Sequence, residues 1–482
     1  MGAADPLKKL RQSVVKVMTV SDPPDYEQPW QTLGASSATG SGSIVETLQG
    51  PCILTNAHVV EDATFIEVRR YGQDRKVVAE VMGYGEECDL ALLSIDDPTF
   101  FKGAKPIPIG DLPSLGDPVK VLGFPIGGER LAVTEGVVSR LELTTYAQNE
   151  RDLLTVQIDA AINSGNSGGP VVKDGKLAGV AFQALDEAEN IGYVIPAPVV
   201  QHFLQDVENP PYAGFPDLGI CAQNLESRAH RKFLGMPRSR RGVRVTHVHY
   251  QGSCWGVLQP GDVLLEIDGE AVASDGTVTF GTSSRIEYPY LATKHYVGDD
   301  IPVRIYREGK RITRRITLAP QKPLVPGRAP GGRPIWFVCG GLLFVPLTRA
   351  WLETWGDSWH RRAPDALVSL YDYGVRTSHS QEVVVLQKVL ADQVNRGYHD
   401  LESVRILRVQ GRRVRKLTDL VRIVDRSEDE FLVFQASDRD EIVLERKAAA
   451  NRGNPILRRY GVPQDRSADL PRAPGAGRTK KA

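Results

Sequence analysis

Three residues of this chain have the types and the order for acyl-transfer chemistry: His58, Asp89 and Ser167. Ser167 lies in NSGNSGGP, residues 163–170, a serine among glycines with a proline behind it. Serine is a weak nucleophile until a neighbouring base takes its proton, and glycines let backbone N–H groups turn towards a reacting carbonyl. The run from Gly165 to Gly169 fits two templates. One is the G-x-S-x-G elbow, in which a strand turns sharply into a helix at the serine. The other is a glycine-flanked serine between two strands. The motif alone does not decide, but the residues after it do. In GGPVVKDGKLAGVAF, Pro170 and the β-branched Val171 and Val172 lead to Lys173-Asp174-Gly175-Lys176, a hairpin turn of Asp-Gly type, and LAGVAF is the return strand. Strand–turn–strand excludes the elbow.

A base and an acid precede the serine. In ILTNAHVV an apolar strand runs into a turn carrying Thr55, Asn56 and His58. The other histidines (His202, His230, His247, His249, His295, His360, His379 and His399) all follow Ser167, and none sits in a comparable strand-end motif. Asp89, in ECDLALLSI, precedes a strand that reads as buried, and a buried aspartate needs a partner such as an imidazole N–H. The order His58, Asp89, Ser167 is that of the chymotrypsin class. His58 would take the serine proton and return it to the leaving amine, and Asp89 would fix its tautomer. By position, the Gly165 and Ser167 N–H groups would form the oxyanion hole, at roughly 3–4 kcal/mol per donor.

The elements that must hold these residues are short strands. From residue 11 to about 200, runs such as SVVKVMTV, CILTNAHVV, PVKVLGF and GVVSRLEL alternate with Gly/Asp/Pro turns, which predicts an antiparallel barrel or sandwich. PAPVVQHFLQDV predicts one closing helix, and ENPPYAGFP a hinge. Residues 209–320 read as a second unit, 321–334 as a Pro/Gly linker, 335–447 as a third, mixed unit, and 448–482 as a loosely ordered basic tail.

The motifs GSGSIV, LTNAHVV, DLALL, LGFPIGG, TEGVVSRLE and IDAAINSGNSGGPVV, in this order, resemble the HtrA/Deg family of serine proteases. The resemblance implies a mainly β fold over residues 1–208: a chymotrypsin-like double β-barrel that cuts polypeptides without ATP, followed by PDZ-like α+β domains. Ser164 stands where the family has proline. The implied specificity pocket is Ala161, Ile162, Ala181, Phe182 and Gln183. With no acid at position 161, a small or medium apolar residue is expected before the cut. Asp217-Leu218-Gly219-Ile220 resembles the PDZ loop that holds a C-terminal carboxylate, through Leu218, Gly219 and Ile220, and GVLQPGDVLL resembles the PDZ stretch after it. Residues 335–447 resemble a second, divergent PDZ domain with an opening loop at Cys339–Thr348, most similar to the plant nuclear Deg protease and its bacterial relatives. Trimer-based homo-oligomers are implied as well.

The totals narrow the remaining classes. Formal net charge is zero over 482 residues, so nucleic acid is not an expected partner. Five cysteines without a C-x-x-C argue against a disulfide framework or a zinc site, and no metal or cofactor is expected. The longest apolar run, Ile335 to Leu347, is too short to span a bilayer, so a cytoplasmic location is expected. Asp159 is a rival acid read as structural. His247 and His249 share a strand face without an evident third metal ligand. Arg304, Arg307, Lys310, Arg311, Arg314 and Arg315, with Arg458, Arg459, Arg478, Lys480 and Lys481, read as solvated charge. Trp336, Trp351, Trp355 and Trp359 read as core or a subunit contact. The competing functions are a non-catalytic chaperone or scaffold that retains the fold, and an esterase.

Overall fold

The computed structural model describes residues 6–125, 128–146, 151–184, 191–282, 284–328, 332–379, 381–470 and 472. By packing, these form two units: residues up to Asp22 with Ala35–Gln321, and Pro23–Gly34 with Lys322 onward.

In the first unit a short helix, α1 (Pro6–Arg11), precedes the strands β1 (Val14–Ser21), β2 (Ser36–Thr47), β3 (Gly50–Thr55), β4 (Ala63–Arg70), β5 (Lys76–Val78), β6 (Glu80–Gly85) and β7 (Leu90–Ser94). They pair antiparallel in the order β5-β4-β1-β2-β3-β7-β6. β-Branched residues supply the inner face: Val15, Val17, Ile44, Ile53 and Val68 are fully buried in one core. Next come β8 (Pro118–Gly123), β9 (Ala132–Tyr146), β10 (Arg151–Ile158), β11 (Pro170–Lys173), β12 (Lys176–Ala184) and β13 (Gly192–Pro196), which close into a barrel. The expected hairpin is present. Lys173 pairs with Lys176, and Asp174 and Gly175 both have positive φ, 50° and 79°, as a type I′ turn requires. The predicted closing helix is α2 (Ala197–Val207). Its buried His202 stacks between Phe215 and Tyr296, with ring centroids 3.9 and 4.3 Å away.

After the hinge come β14 (Pro216–Asp217), β15 (Ile220–Asn224), α3 (Arg228–Phe233), β16 (Val243–Val248), β17 (Val263–Ile267), β18 (Glu270–Ala271), β19 (Thr277–Phe280), β20 (Ser284–Glu287), α4 (Tyr290–Thr293), β21 (Asp300–Arg307), β22 (Lys310–Thr317) and β23 (Ala319–Pro320). The main sheet runs β15-β16-β17-β21-β22, with β18 paired to β17, so β15 is an edge strand. Of the predicted basic hairpin, Arg304 and Arg311 pair with Glu266, and Arg307 pairs with Asp262.

The second unit holds β24 (Phe337–Cys339), β25 (Leu342–Pro346), α5 (Arg349–Leu352), α6 (Trp359–Arg362), α7 (Asp365–Tyr373), β26 (Val384–Val389), β27 (Val404–Val409), β28 (Arg412–Arg413), α8 (Leu417–Arg426), β29 (Phe431–Ala436), β30 (Glu441–Glu445) and α9 (Arg446–Arg459). Trp336, Trp351 and Trp359 lie in its core, with Trp355 packed on it, as expected of core tryptophans.

Two expectations need correction. The segment from 448 is not a loose tail over its described part: α9 continues to Arg459, and Phe337 pairs with Arg466. Ala449, Ile456 and Leu457 are buried, and this apolar face is what anchors an otherwise polar, basic stretch. Arg478, Lys480 and Lys481 lie outside the described residues. Residues 23–34 also leave the barrel unit. Trp30 meets Trp336 edge-on, and Gln387 donates to the carbonyl oxygens of Tyr26 and Glu27.

Candidate active site

β3 ends at Thr55, and the turn after it carries His58, whose side chain is partly exposed. Asp89 caps the end of a 3-10 turn, Glu86–Cys88, and immediately precedes β7. Pairing of β3 with β7 (Thr55 opposite Ala91) brings the two together. Asp89 is fully buried, and both carboxylate oxygens are used. Oδ2 lies 2.8 Å from His58 Nδ1, and Oδ1 accepts the His58 backbone N–H at 2.9 Å. The main-chain carbonyl of Asp89 accepts from Asn56 Nδ2 (2.9 Å) and from the Ala57 N–H (3.1 Å). Four contacts thus register His58 on Asp89. Burial disfavours the charged imidazole, but the Asp89 carboxylate outweighs it and holds the His58 pKa above its ordinary 6.5.

The loop before β11 presents Ser167. Its carbonyl oxygen accepts the Ser41 N–H (2.8 Å), and Ser41 Oγ donates to the Gly165 carbonyl oxygen (2.7 Å). Thr55 Oγ1 donates in turn to the Ser41 carbonyl oxygen (2.7 Å), which ties the serine loop to the strand that delivers His58. Ser167 Oγ is turned to the Phe182 carbonyl oxygen, 3.4 Å away, rather than bonded to His58. Gly165 and Gly168 have φ of +93° and +83°. Among the described residues, the Gly165 and Ser167 N–H groups donate to no protein acceptor. A Cβ on Gly168 would overlap the Ser41 carbonyl oxygen and Thr55 Oγ1. Gly168→Ala is therefore expected to lower the thermal midpoint and reduce kcat at least tenfold, measured by calorimetry and peptide cleavage.

Of the pocket residues, Ile162, Ala181 and Phe182 are buried and Ala161 is half-buried. Ile162 packs over Gly192, where a Cβ would come within 2.6 Å of it. The Gln183 side chain lies outside the described residues. Asp159 is structural as read, since its Oδ1 accepts the Val137 N–H at 2.6 Å. Sequence reasoning missed the part of Ser41. Its signal was a polar run, GSGS, inside a strand whose neighbours are buried.

In the loop before β15, Gly219 has φ +68°, and its N–H donates to Asp217 Oδ1 at 2.6 Å. The sheet of the second unit, β25-β26-β27-β29-β30 with β28 on β27, repeats the order of the first PDZ-like sheet. Its edge differs. β24 pairs along β25, with Phe337 opposite Phe344 and Cys339 opposite Leu342. The expected opening loop is thus a hairpin turning at Gly340-Gly341. The far side of β24 is also bonded, from the Val338 N–H to the Asp465 carbonyl oxygen (2.7 Å) and from the Ser467 N–H to the Trp336 carbonyl oxygen (3.0 Å).

Fold and site define a trypsin-like serine peptidase joined to a PDZ domain. A trypsin-like peptidase domain model matches residues 40–180, and a PDZ domain model matches residues 325–469. Protease Do-like 2, chloroplastic, from Arabidopsis thaliana is 42% identical over 95% of this chain and 75% of its own length. Putative protease Do-like 3, mitochondrial, of the same plant is 35% identical over 95% of this chain and 80% of its own. The solved HtrA-type protease AlgW with decapeptide aligns at 25% identity and a TM-score of 0.50, covering 67% of this chain and all of that one. The chain belongs to the HtrA/Deg (Do-like) family and is a serine endopeptidase. No helix among the described residues is long and apolar enough to cross a membrane.

Proposed function

We propose that the chain is an ATP-independent endopeptidase for unfolded or regulatory polypeptides, with Ser167 as nucleophile, His58 as general base and Asp89 as the residue that orients it. The observation that carries this is the doubly bonded His58–Asp89 pair, at 2.8 and 2.9 Å, beside a serine loop latched to the same strand. Rotation of Ser167 about χ1 moves Oγ off the Phe182 carbonyl, and the free Gly165 and Ser167 N–H groups receive the tetrahedral oxyanion. The apolar pocket residues favour a small or medium apolar side chain before the cut. Casein digestion tests the reading: equal rates from the chain and its Ser167→Ala variant would sink it. They would favour the non-catalytic scaffold, whereas turnover of small esters without peptide cleavage would favour the esterase.

In the first PDZ domain, the open edge of β15 suits an added peptide strand, with Leu218, Gly219 and Ile220 taking its C-terminal carboxylate. Gly219→Val is expected to weaken binding of a labelled, unstructured peptide with a free C-terminus at least tenfold, read by fluorescence anisotropy. Amidating that peptide should do the same. Unchanged affinity in both arms would remove the carboxylate loop from the proposal. In the second PDZ domain the corresponding edge carries β24, which supports an assembly role for that domain in a homo-oligomer rather than peptide capture.

A further inference from the structure

An ionic cluster around the buried Arg151 joins the turn before Asp89 to the hinge of the first PDZ domain. Glu87 sits two residues before Asp89, in the 3-10 turn whose Glu86 carbonyl oxygen accepts the Asp89 N–H at 3.2 Å. The Glu87 Oε1 accepts the Phe215 N–H (2.6 Å) and lies 3.5 Å from the Tyr212 hydroxyl. Cys88, fully buried between Glu87 and Asp89, packs its Sγ 3.7 Å from that same hydroxyl. Opposite stands Arg151, at the start of β10 and 7% exposed. Its guanidinium lies 3.9 Å from Glu87 Oε2 and 3.3 Å from Asp217 Oδ2. It also donates to the carbonyl oxygens of Phe215 (3.3 Å) and Pro216 (2.7 Å) and to Gln321 Oε1 (3.0 Å). The hinge is shaped to admit this grip. Gly214 has φ +76°, a Cβ there would collide with Glu87 Oε1, and Asp206 Oδ2 accepts the Ala213 and Gly214 N–H groups at 2.9 and 2.6 Å.

We infer that Glu87 and Arg151 are positioning residues for the hydrolytic reaction: they clamp the turn that presents Asp89 to His58, using the PDZ hinge as the fixed jaw. The inference rests on the proposed roles of Asp89 and His58. A cation this buried is retained only with its partners in place: removing Glu87 takes away one of its two carboxylates, and removing Arg151 takes away the cation that faces Glu87. Asp89 has no slack of its own, because it meets His58 through two oxygens at once and its backbone sits at φ 51°. A small shift of the turn therefore reaches the base. The same cluster holds Asp217, whose other oxygen caps the Gly219 N–H, so the carboxylate loop and the catalytic turn share one cation.

The test compares Glu87→Ala, Arg151→Met and Glu87→Gln in the full chain on a fluorogenic peptide across pH. The two truncations are expected to lower kcat at least tenfold with KM within twofold of wild type. They should also move the acid limb of kcat/KM down by half a pH unit or more, as His58 loses its carboxylate. Glu87→Gln keeps an acceptor for the Phe215 N–H and should recover to within threefold of wild type. Unchanged kcat in both truncations would overturn the inference, and so would a lowered thermal midpoint with the acid limb unmoved, which marks a scaffold role only. If a truncation does not fold, Glu87→Asp decides by the same limb: a downward shift supports the clamp and a fixed limb refutes it. Wild-type chain that resists a fluorophosphonate would instead overturn the protease reading itself.

Discussion

Ser167→Ala is expected to end casein digestion, with kcat falling by about 10⁶-fold, the scale on which triad nucleophiles act. Covalent labelling by a fluorophosphonate should vanish in the same variant. Fold should not change, because every bond that holds the loop uses main chain or other side chains. The Ser167 carbonyl oxygen takes the Ser41 N–H, Gly165 is held by Ser41 Oγ, and the Gly168 N–H reaches the Ala181 carbonyl oxygen at 2.8 Å. Alanine forgoes the 3.4 Å approach of Oγ to the Phe182 carbonyl oxygen and keeps all of these. Circular dichroism and the thermal midpoint should therefore match wild type, while turnover and labelling do not. Residual cleavage within tenfold of wild type would assign the chemistry to another residue.

The class of fold and the pairing of His58 with Asp89 were legible in the sequence because each rests on local signals. Asp174-Gly175 demands a tight hairpin whatever surrounds it, and that hairpin excludes the elbow. The apolar run after Asp89 makes its carboxylate a buried group that must find a partner. The Asp-Gly turn and the strands beside it appear as read. What was illegible depends on partners far apart in sequence. Nothing local in the sequence singles out Arg151; its role comes from the hinge, 64 and 65 residues on, which puts two carbonyl oxygens against it. Ser41 reads as one polar residue in a GSGS run until it meets Gly165, 124 residues away. The tail after residue 448 reads as solvated because its charges are visible and its apolar face is sparse. Its burial is decided by β24, more than a hundred residues earlier. No residue of GGLLFVPLT announces that β24 will pair along β25.

Asp89→Asn is expected to lower kcat by about 10⁴-fold while leaving the fold in place. The geometry gives the reason. One carboxylate oxygen accepts the His58 backbone N–H and the other faces Nδ1. An asparagine keeps the first bond only by placing its single oxygen on the backbone N–H, which turns its NH₂ group towards Nδ1. Nδ1 must then accept, the ring proton moves to Nε2, and the atom that should take the serine proton is already occupied. The opposite amide orientation sets NH₂ against the His58 N–H, donor against donor, in a site without exposure. The pH profile separates this from simple mispositioning. In wild type the His58 pKa is raised above 6.5, so the active neutral base is reached only as pH rises through that higher value. Asparagine removes the carboxylate that chiefly raises it and leaves burial, the largest effect, to lower it against only the weaker pull of Glu61, so the acid limb of kcat/KM should fall below 6.5. A variant with near-wild-type kcat, or with its acid limb unmoved, would show that Asp89 does not set the state of His58.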